Sequence, residues 1–168
     1  MRDAAELDSI DWQILEELQN DATLQNRVLA SRVGLAPSSC LQRVRRLREL
    51  GVITGFHAVV DPRTTGLSLE AIVSVSVRPH TRPVVAAFRQ FLMAQPETRS
   101  IFHVSGQSDF LVHIAVIDST HLQSFIMDKV AARTEVRNLA SSVILERVET
   151  RALTPPATVR APRRRATP

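Results

Sequence analysis

The densest chemistry in this chain lies between Gly34 and Gly51, GLAPSSCLQRVRRLRELG. Arg43, Arg45, Arg46 and Arg48 fall within six residues, with Ser38, Ser39 and Gln42 just before them. No acid occurs between Asp21 and Glu49. A guanidinium presents a planar fork of donors that matches a phosphate or the O6/N7 edge of guanine. Serine and glutamine donate to phosphates or read base edges. An ordinary solvated helix face mixes the two signs of charge, and this one does not. The chemistry it suits is recognition of a nucleic acid.

The stretch needs a rigid support to present those groups. Pro37 suits a first helical turn, where its missing N–H costs nothing, and a helix of about thirteen residues can follow. At 100° per residue, Cys40, Val44 and Leu47 stack on one side, with Leu41 near them. Ser38, Ser39, Gln42, Arg45 and Arg46 cluster opposite, with Arg43 and Arg48 on the flanks. Gly34 supplies the tight turn before the helix and Gly51 ends it.

Two elements precede that turn. Leu7–Gln19 (LDSIDWQILEELQ) is expected as a helix capped by Asp8, with Asp11 three residues on and Leu7 and Trp12 as a hydrophobic staple. Ile14, Leu15 and Leu18 form its buried stripe, and its acids are expected to face away from DNA. Asn26–Val33 is a second short helix with Leu29, Ala30 and Val33 inward. Helix, short helix, glycine turn and basic helix is the helix-turn-helix pattern, whose last helix enters the major groove. Residues 52–60 are expected to form a strand stopped by Asp61-Pro62, and residues 63–67 a linker.

The remainder changes rhythm. Glu70–Val77 alternates Val73, Val75 and Val77 against Ser74 and Ser76, a half-buried strand. A helix over 84–94 follows, then strands over 98–104 and 109–117 joined by Ser105-Gly106-Gln107-Ser108. Ser119 is expected to cap a helix through about residue 132, and 136–148 is the fourth strand. The order β-α-β-β-α-β gives a ferredoxin-like sandwich with two helices on one sheet face. The other face, left open, calls for a partner. The expected organisation is therefore α+β: residues 1–55 a helix-turn-helix domain, 56–69 a strand and linker, 70–150 a ferredoxin-like βαββαβ domain, and 151–168 a disordered basic tail.

Charge follows the same division. The chain has 168 residues and a formal net charge of +4. Residues 1–26 carry one Arg and seven acids, residues 27–48 six Arg and no acid, and residues 151–168 five Arg and no acid. The positive charge is concentrated where a polyanion would be held. With 44% hydrophobic residues the chain can build a core. It has no run of eighteen apolar residues to cross a membrane. The acidic start lacks a secretory h-region, and the single Cys40 leaves no internal disulfide framework. A cytoplasmic protein is expected.

Other chemistries are thinly represented. His103 and His113 could face each other across the hairpin on the open sheet face as half a zinc site, but no third ligand stands nearby. Packing at a subunit interface is the expected role, and no metal or cofactor is expected. No Ser/His/Asp order, paired carboxylates or Walker loop stands out, so an enzyme is not expected.

The motifs LDSIDWQILEELQND, RVGLAPSSCLQRVRRLRELGVITGF and VSGQSDFLV together resemble the Lrp/AsnC (leucine-responsive, feast/famine) family of prokaryotic transcription regulators, over roughly residues 7–150 in the same order. The resemblance implies a winged-type helix-turn-helix DNA-binding domain over 1–55, joined by a hinge strand within 56–69 to an amino-acid-binding ferredoxin-like βαββαβ regulatory domain over 70–150, in homodimers that often assemble to octamers. DNA contacts are expected from Ser38, Ser39, Gln42 and Arg45 toward bases and from Arg43 and Arg46 toward phosphates. The resemblance places the effector at Ser105, Gly106, Gln107, Ser108, Asp109 and Phe110, where backbone amides and Asp109 would hold a carboxylate and an ammonium. The other reading of that turn is a tight hairpin whose glycine and aspartate serve geometry. Two positions depart from the family pattern. Ala36 stands where serine usually caps the helix, and Gln107 stands where an acid is common. The loss of that acid keeps an architectural DNA-binding protein without effector as the alternative, with a small α+β enzyme behind it.

Overall fold

The computed structural model describes residues 6–148 and 153–156. They divide into two compact units: residues up to Ala58 together with the C-terminal segment from Val148, and Val59–Arg147.

The first unit contains three helices. α1 (Ser9–Asn20) begins with a reciprocal capping box: the Asp8 carboxylate accepts from the Asp11 N–H, and Asp11 accepts from the Asp8 N–H. α2 is Asn26–Arg32 and α3 is Pro37–Glu49. Between them, Gly34 takes φ +69°, a conformation that costs a side chain far more than it costs glycine. The Leu35 N–H closes onto the Ala30 carbonyl at 2.8 Å. Ile14, Leu15, Leu29, Ala30, Val33, Cys40 and Leu47 form the core, with Trp12, Leu18 and Val44 packed against it. The strand expected over 52–60 is absent, and the backbone there is irregular up to Asp61. A strand exists by pairing, and none of the described residues pairs with that stretch.

The second unit is a four-stranded antiparallel sheet with helices on one side. Its strands are β1 (Leu69–Val77), β2 (Thr98–His103), β3 (Phe110–Val116) and β4 (Val136–Val143), in the order β2-β3-β1-β4. Val73 lies opposite Val112 on β3 and Ser141 on β4. α4 (Arg82–Met93) follows β1. α5 (Ser119–Ser124) runs into a π-helical segment, Phe125–Val130. The cap of α5 is Asp118, not Ser119: the Asp118 carboxylate accepts from the His121 N–H at 2.8 Å. Ala71, Val73, Val75 and Val77 of β1 and Val112, Ile114 and Val116 of β3 meet Phe88, Leu92, Leu122, Phe125 and Val130 in one core.

Register overturns the expected histidine pair. His103 lies opposite Phe110 and His113 opposite Ser100. The two alternate onto opposite sheet faces. His103 stacks on the Phe110 ring at 5.0 Å, whereas His113 bonds Glu70 at 2.8 Å on the open face. The basic tail expected over 151–168 lies outside the described residues except for 153–156.

Candidate functional site

α3 is presented by a firm base. Cys40 and Leu47 have no exposed surface, and burial pushes the Cys40 thiol up. The Asn26 side-chain amide donates to the Pro37 carbonyl at 2.8 Å, tying α2 to the first turn of α3. Ser38, Ser39, Gln42, Arg45 and Arg46 are all exposed, and Arg43 is half-buried.

The arginines separate into distinct roles. Arg43 bonds Asp8 at 2.7 Å and Asp11 at 2.8 Å; Arg46 bonds Asp11 at 3.1 Å and the Glu6 carbonyl at 3.2 Å. The Asp11 side chain is only 2% exposed. Asp8 and Asp11, at the start of α1, therefore reach α3, whereas Glu17 pairs with Arg32 of α2 at 2.6 Å. The hydrogen bond from the Asp11 N–H holds the Asp8 carboxyl below its usual range despite some burial, and Arg43 adds to this. The hydrogen bonds from Arg43 to Asp8 and Asp11 hold its guanidinium more firmly protonated. Arg48 lies over the Phe56 ring, 5.3 Å from its centroid. Arg45, in contrast, makes no ion pair among the described residues. A shallow recess of about 410 Å³ runs from Glu6, Asp8 and Asp11 to Ser39, Gln42, Arg43 and Arg46. Its charges are nearly balanced, so the outward positive face is narrower than the arginine count suggests.

The turn between β2 and β3 collects a second group. Gly106 has φ +143°, and a Cβ there would meet open space. Backbone conformation alone thus selects glycine. The Ser76 hydroxyl donates to the Gln107 carbonyl at 3.0 Å. The Asp109 carboxylate accepts from the Val77 N–H at 2.7 Å, with His80 Nε2 at 3.3 Å and Arg78 at 3.7 Å. Ser105, Gly106 and Gln107 are exposed, while Ser108 and Asp109 are half-buried. Phe110 is fully buried against Phe88, so it supports the turn from within the core and offers no surface to a ligand.

Known proteins share both halves of this architecture. Residues 7–54 match the family described as winged helix-turn-helix DNA-binding, and residues 70–153 match the Lrp/AsnC ligand binding domain. The chain belongs to the Lrp/AsnC family of transcriptional regulators. It is 38% identical over 143 residues to the HTH-type transcriptional regulator AldR of Mycolicibacterium smegmatis, covering 85% of this chain and 84% of the relative. It is 34% identical over 144 residues to the leucine-responsive regulatory protein of Rhizobium meliloti, covering 86% and 92%. Among solved structures, a transcriptional regulator of Neisseria meningitidis in complex with L-methionine superimposes with a TM-score of 0.83 at 28% identity, covering 92% of this chain and 99% of that one.

As an Lrp/AsnC regulator, the chain has a DNA-binding unit and a ligand-binding unit. Reasoning from sequence missed several residues around them. Asp8 and Asp11 on α1 sit three apart, as do Arg43 and Arg46 on α3, and that matched spacing was the available signal for their pairing. Arg78 and His80, just past β1, drew no functional reading from the sequence, yet they face Asp109. Glu97 carried no signal: it is buried, and it accepts from Lys129 at 2.7 Å and contacts His121 at 3.1 Å across the unit.

Proposed function

We propose that α3 reads the DNA major groove through Ser38, Ser39, Gln42 and Arg45, while Arg43 and Arg46 mainly fix the helix on α1 and lend their charge to nearby phosphates. The observation that carries this is the exposed hydroxyl, amide and guanidinium row on a helix whose other side, Cys40 and Leu47, is fully buried. The reading assigns residues 1–55 to DNA binding, 56–69 to the hinge, 70–150 to effector binding and assembly, and 151–168 to a basic tail, in a cytoplasmic regulator. Fluorescence anisotropy with a labelled duplex tests the α3 assignment: Arg45→Ala and Gln42→Ala lower affinity, and unchanged binding by both overturns it.

The effector is an amino acid held at the Ser105–Asp109 turn. The L-methionine complex of the Neisseria regulator supports this class of ligand. In this chain the polar groups available there are the turn amides, Asp109, Arg78 and His80. Arg78 and His80 suit a carboxylate, and Asp109 suits an ammonium. Calorimetry against the twenty amino acids tests the assignment, and heat from none of them favours an architectural DNA-binding protein instead. A homodimer assembling further through the second unit is supported by the bare sheet face, where Phe102 is 54% exposed.

A further inference from the structure

The turn between β2 and β3 offers more donors than acceptors. The backbone N–H groups of Ser105, Gly106, Gln107 and Ser108 make no hydrogen bond among the described residues. Free amides gathered in one turn suit a carboxylate. Asp109 is the acid beside them, with its side chain 17% exposed. It accepts from the Val77 N–H at 2.7 Å and faces His80 Nε2 at 3.3 Å. A carboxylate has about four acceptor positions, so room is left for an ammonium. Turn amides and Asp109 together satisfy the zwitterionic head that every amino acid shares.

Arg78 is then left over. Its side chain is 55% exposed and stands 3.7 Å from Asp109, beyond hydrogen-bond distance. Arg78 Nη1 donates to the Val77 carbonyl at 2.8 Å, and the other guanidinium N–H groups make no hydrogen bond among the described residues. The Arg78 backbone N–H donates to the Glu135 carbonyl at 2.7 Å, which brings a second acid close. The Glu135 carboxylate, however, is already taken by Arg133 at 2.6 and 2.9 Å. Gln107, exposed on the turn, adds no negative charge. His103 is exposed too, its ring 6.3 Å from that of His80, and it adds one more donor.

The charges decide what such a site prefers. Without ligand, Arg78 offsets Asp109. A ligand ammonium placed against Asp109 uncovers the charge of Arg78. A neutral amino acid has nothing to offer in return, whereas a second carboxylate does, through charge-assisted and often bidentate hydrogen bonds.

We propose that the effector is a dicarboxylic amino acid whose second carboxylate is seated on Arg78. The turn amides hold its α-carboxylate, and Asp109 holds its ammonium. This rests on the assignment of the effector to the Ser105–Asp109 turn.

Calorimetry with the full-length chain tests it by comparing each acid with its own amide: L-glutamate with L-glutamine, and L-aspartate with L-asparagine. At least one acid is expected to bind about tenfold or more tighter than its amide. Glutarate, which keeps two carboxylates and lacks the ammonium, is expected to bind about tenfold more weakly than glutamate. Arg78→Gln is expected to lower the affinity of the preferred acid about tenfold and leave its amide within about twofold. Arg78→Lys, which keeps the charge, restores part of the preference. Melting curves confirm that both variants are folded, and the comparison of acid with amide in the native chain needs neither. Amides that bind as tightly as their acids overturn the proposal, as does a preference that survives Arg78→Gln. Glutarate bound as tightly as glutamate overturns the amino-acid class. L-Methionine binding with no acid bound more tightly overturns the second carboxylate and leaves the turn as an effector site. Heat from no amino acid overturns both.

Discussion

At the scale of single residues, the decisive finding is that the arginines of α3 are not equivalent. Asp11 is a buried carboxylate shared by Arg43 and Arg46. Breaking a buried pair by removing one partner's charge is costly, because the other charge keeps its desolvation without its compensation. Both arginines retain access to water here, which tempers the effect. Asp11→Asn is therefore expected to lower the unfolding free energy by about 2 kcal/mol in urea titration. Arg45 has no such structural duty. Arg45→Ala is expected to leave that free energy within about 0.5 kcal/mol and to weaken DNA binding roughly tenfold, as loss of a base or phosphate contact does. Sequence patterning placed all of these side chains on the outer half of α3, and the structure agrees. It did not reveal which of them are held. The acids of α1 were expected to face away from DNA, and that reading gave no hint that Asp8 and Asp11, which form a capping box, also bond the arginines of α3. Asp109 teaches the same lesson at the turn: its type suggested an ammonium ligand, and its position also makes it a brace for the Val77 N–H.

At the scale of elements, the helices and the four sheet strands were legible because each carries one strong periodic stripe. Ile14, Leu15, Cys40 and Leu47 at helical spacing, and Val73, Val75 and Val77 at strand spacing, fill the two cores. Residues 52–60 misled because Val52, Ile53, Val59 and Val60 have strand composition, and composition cannot supply a neighbouring strand. The π-helical segment Phe125–Val130 was illegible for a related reason. An i→i+5 turn leaves no mark on a stripe of Phe125, Ile126 and Val130 that also suits an α-helix. Capping and a buried carboxylate each yield a prediction. Ala36 has extended backbone angles and makes no side-chain bond to α3, so Ala36→Ser is expected to raise unfolding free energy by about 1 kcal/mol. Differential scanning calorimetry would show the increase in Tm. Glu97 gives the second prediction. Burial raises its carboxyl pKa, but the hydrogen bonds from Lys129, its own backbone N–H and His121 outweigh that and leave it below the usual glutamate range. A depressed folded pKa stabilises the fold above the unfolded pKa, and the contribution fades as pH falls through the folded one. The stability difference between the native chain and Glu97→Gln, measured by urea titration, should therefore be greatest near neutral pH and shrink as pH falls below about 4.

At the scale of the whole molecule, the two units carry different surfaces for different partners. The first holds the arginine-rich helix, and the second is covered by helices on one face of its sheet only. On the bare face, Phe102 of β2 stands opposite Leu111 of β3, and Ile72 of β1 stands opposite His113. Glu70 and His113 are buried there as a bonded pair, with Arg147 also 3.5 Å from Glu70, and Ser74 and Ser142 alternate onto the same side, so the face mixes apolar and polar groups. An exposed aromatic beside partly buried aliphatic side chains is the composition of an interface core. Phe102 contributes little to the fold of a single chain, since 54% of its surface is open to solvent. Its replacement thus separates association from folding. Phe102→Glu sets a carboxylate where a second copy would bury it unpaired, a cost of several kcal/mol per ion incurred once in each subunit of a symmetric pair. Sedimentation velocity should show the native chain as a dimer or larger species and the variant shifted toward monomer. Far-ultraviolet circular dichroism and the melting curve of the variant at low concentration should stay close to those of the native monomer. If the variant sediments as the native chain does, the subunits join through another surface, and the bare sheet face is left to a different partner.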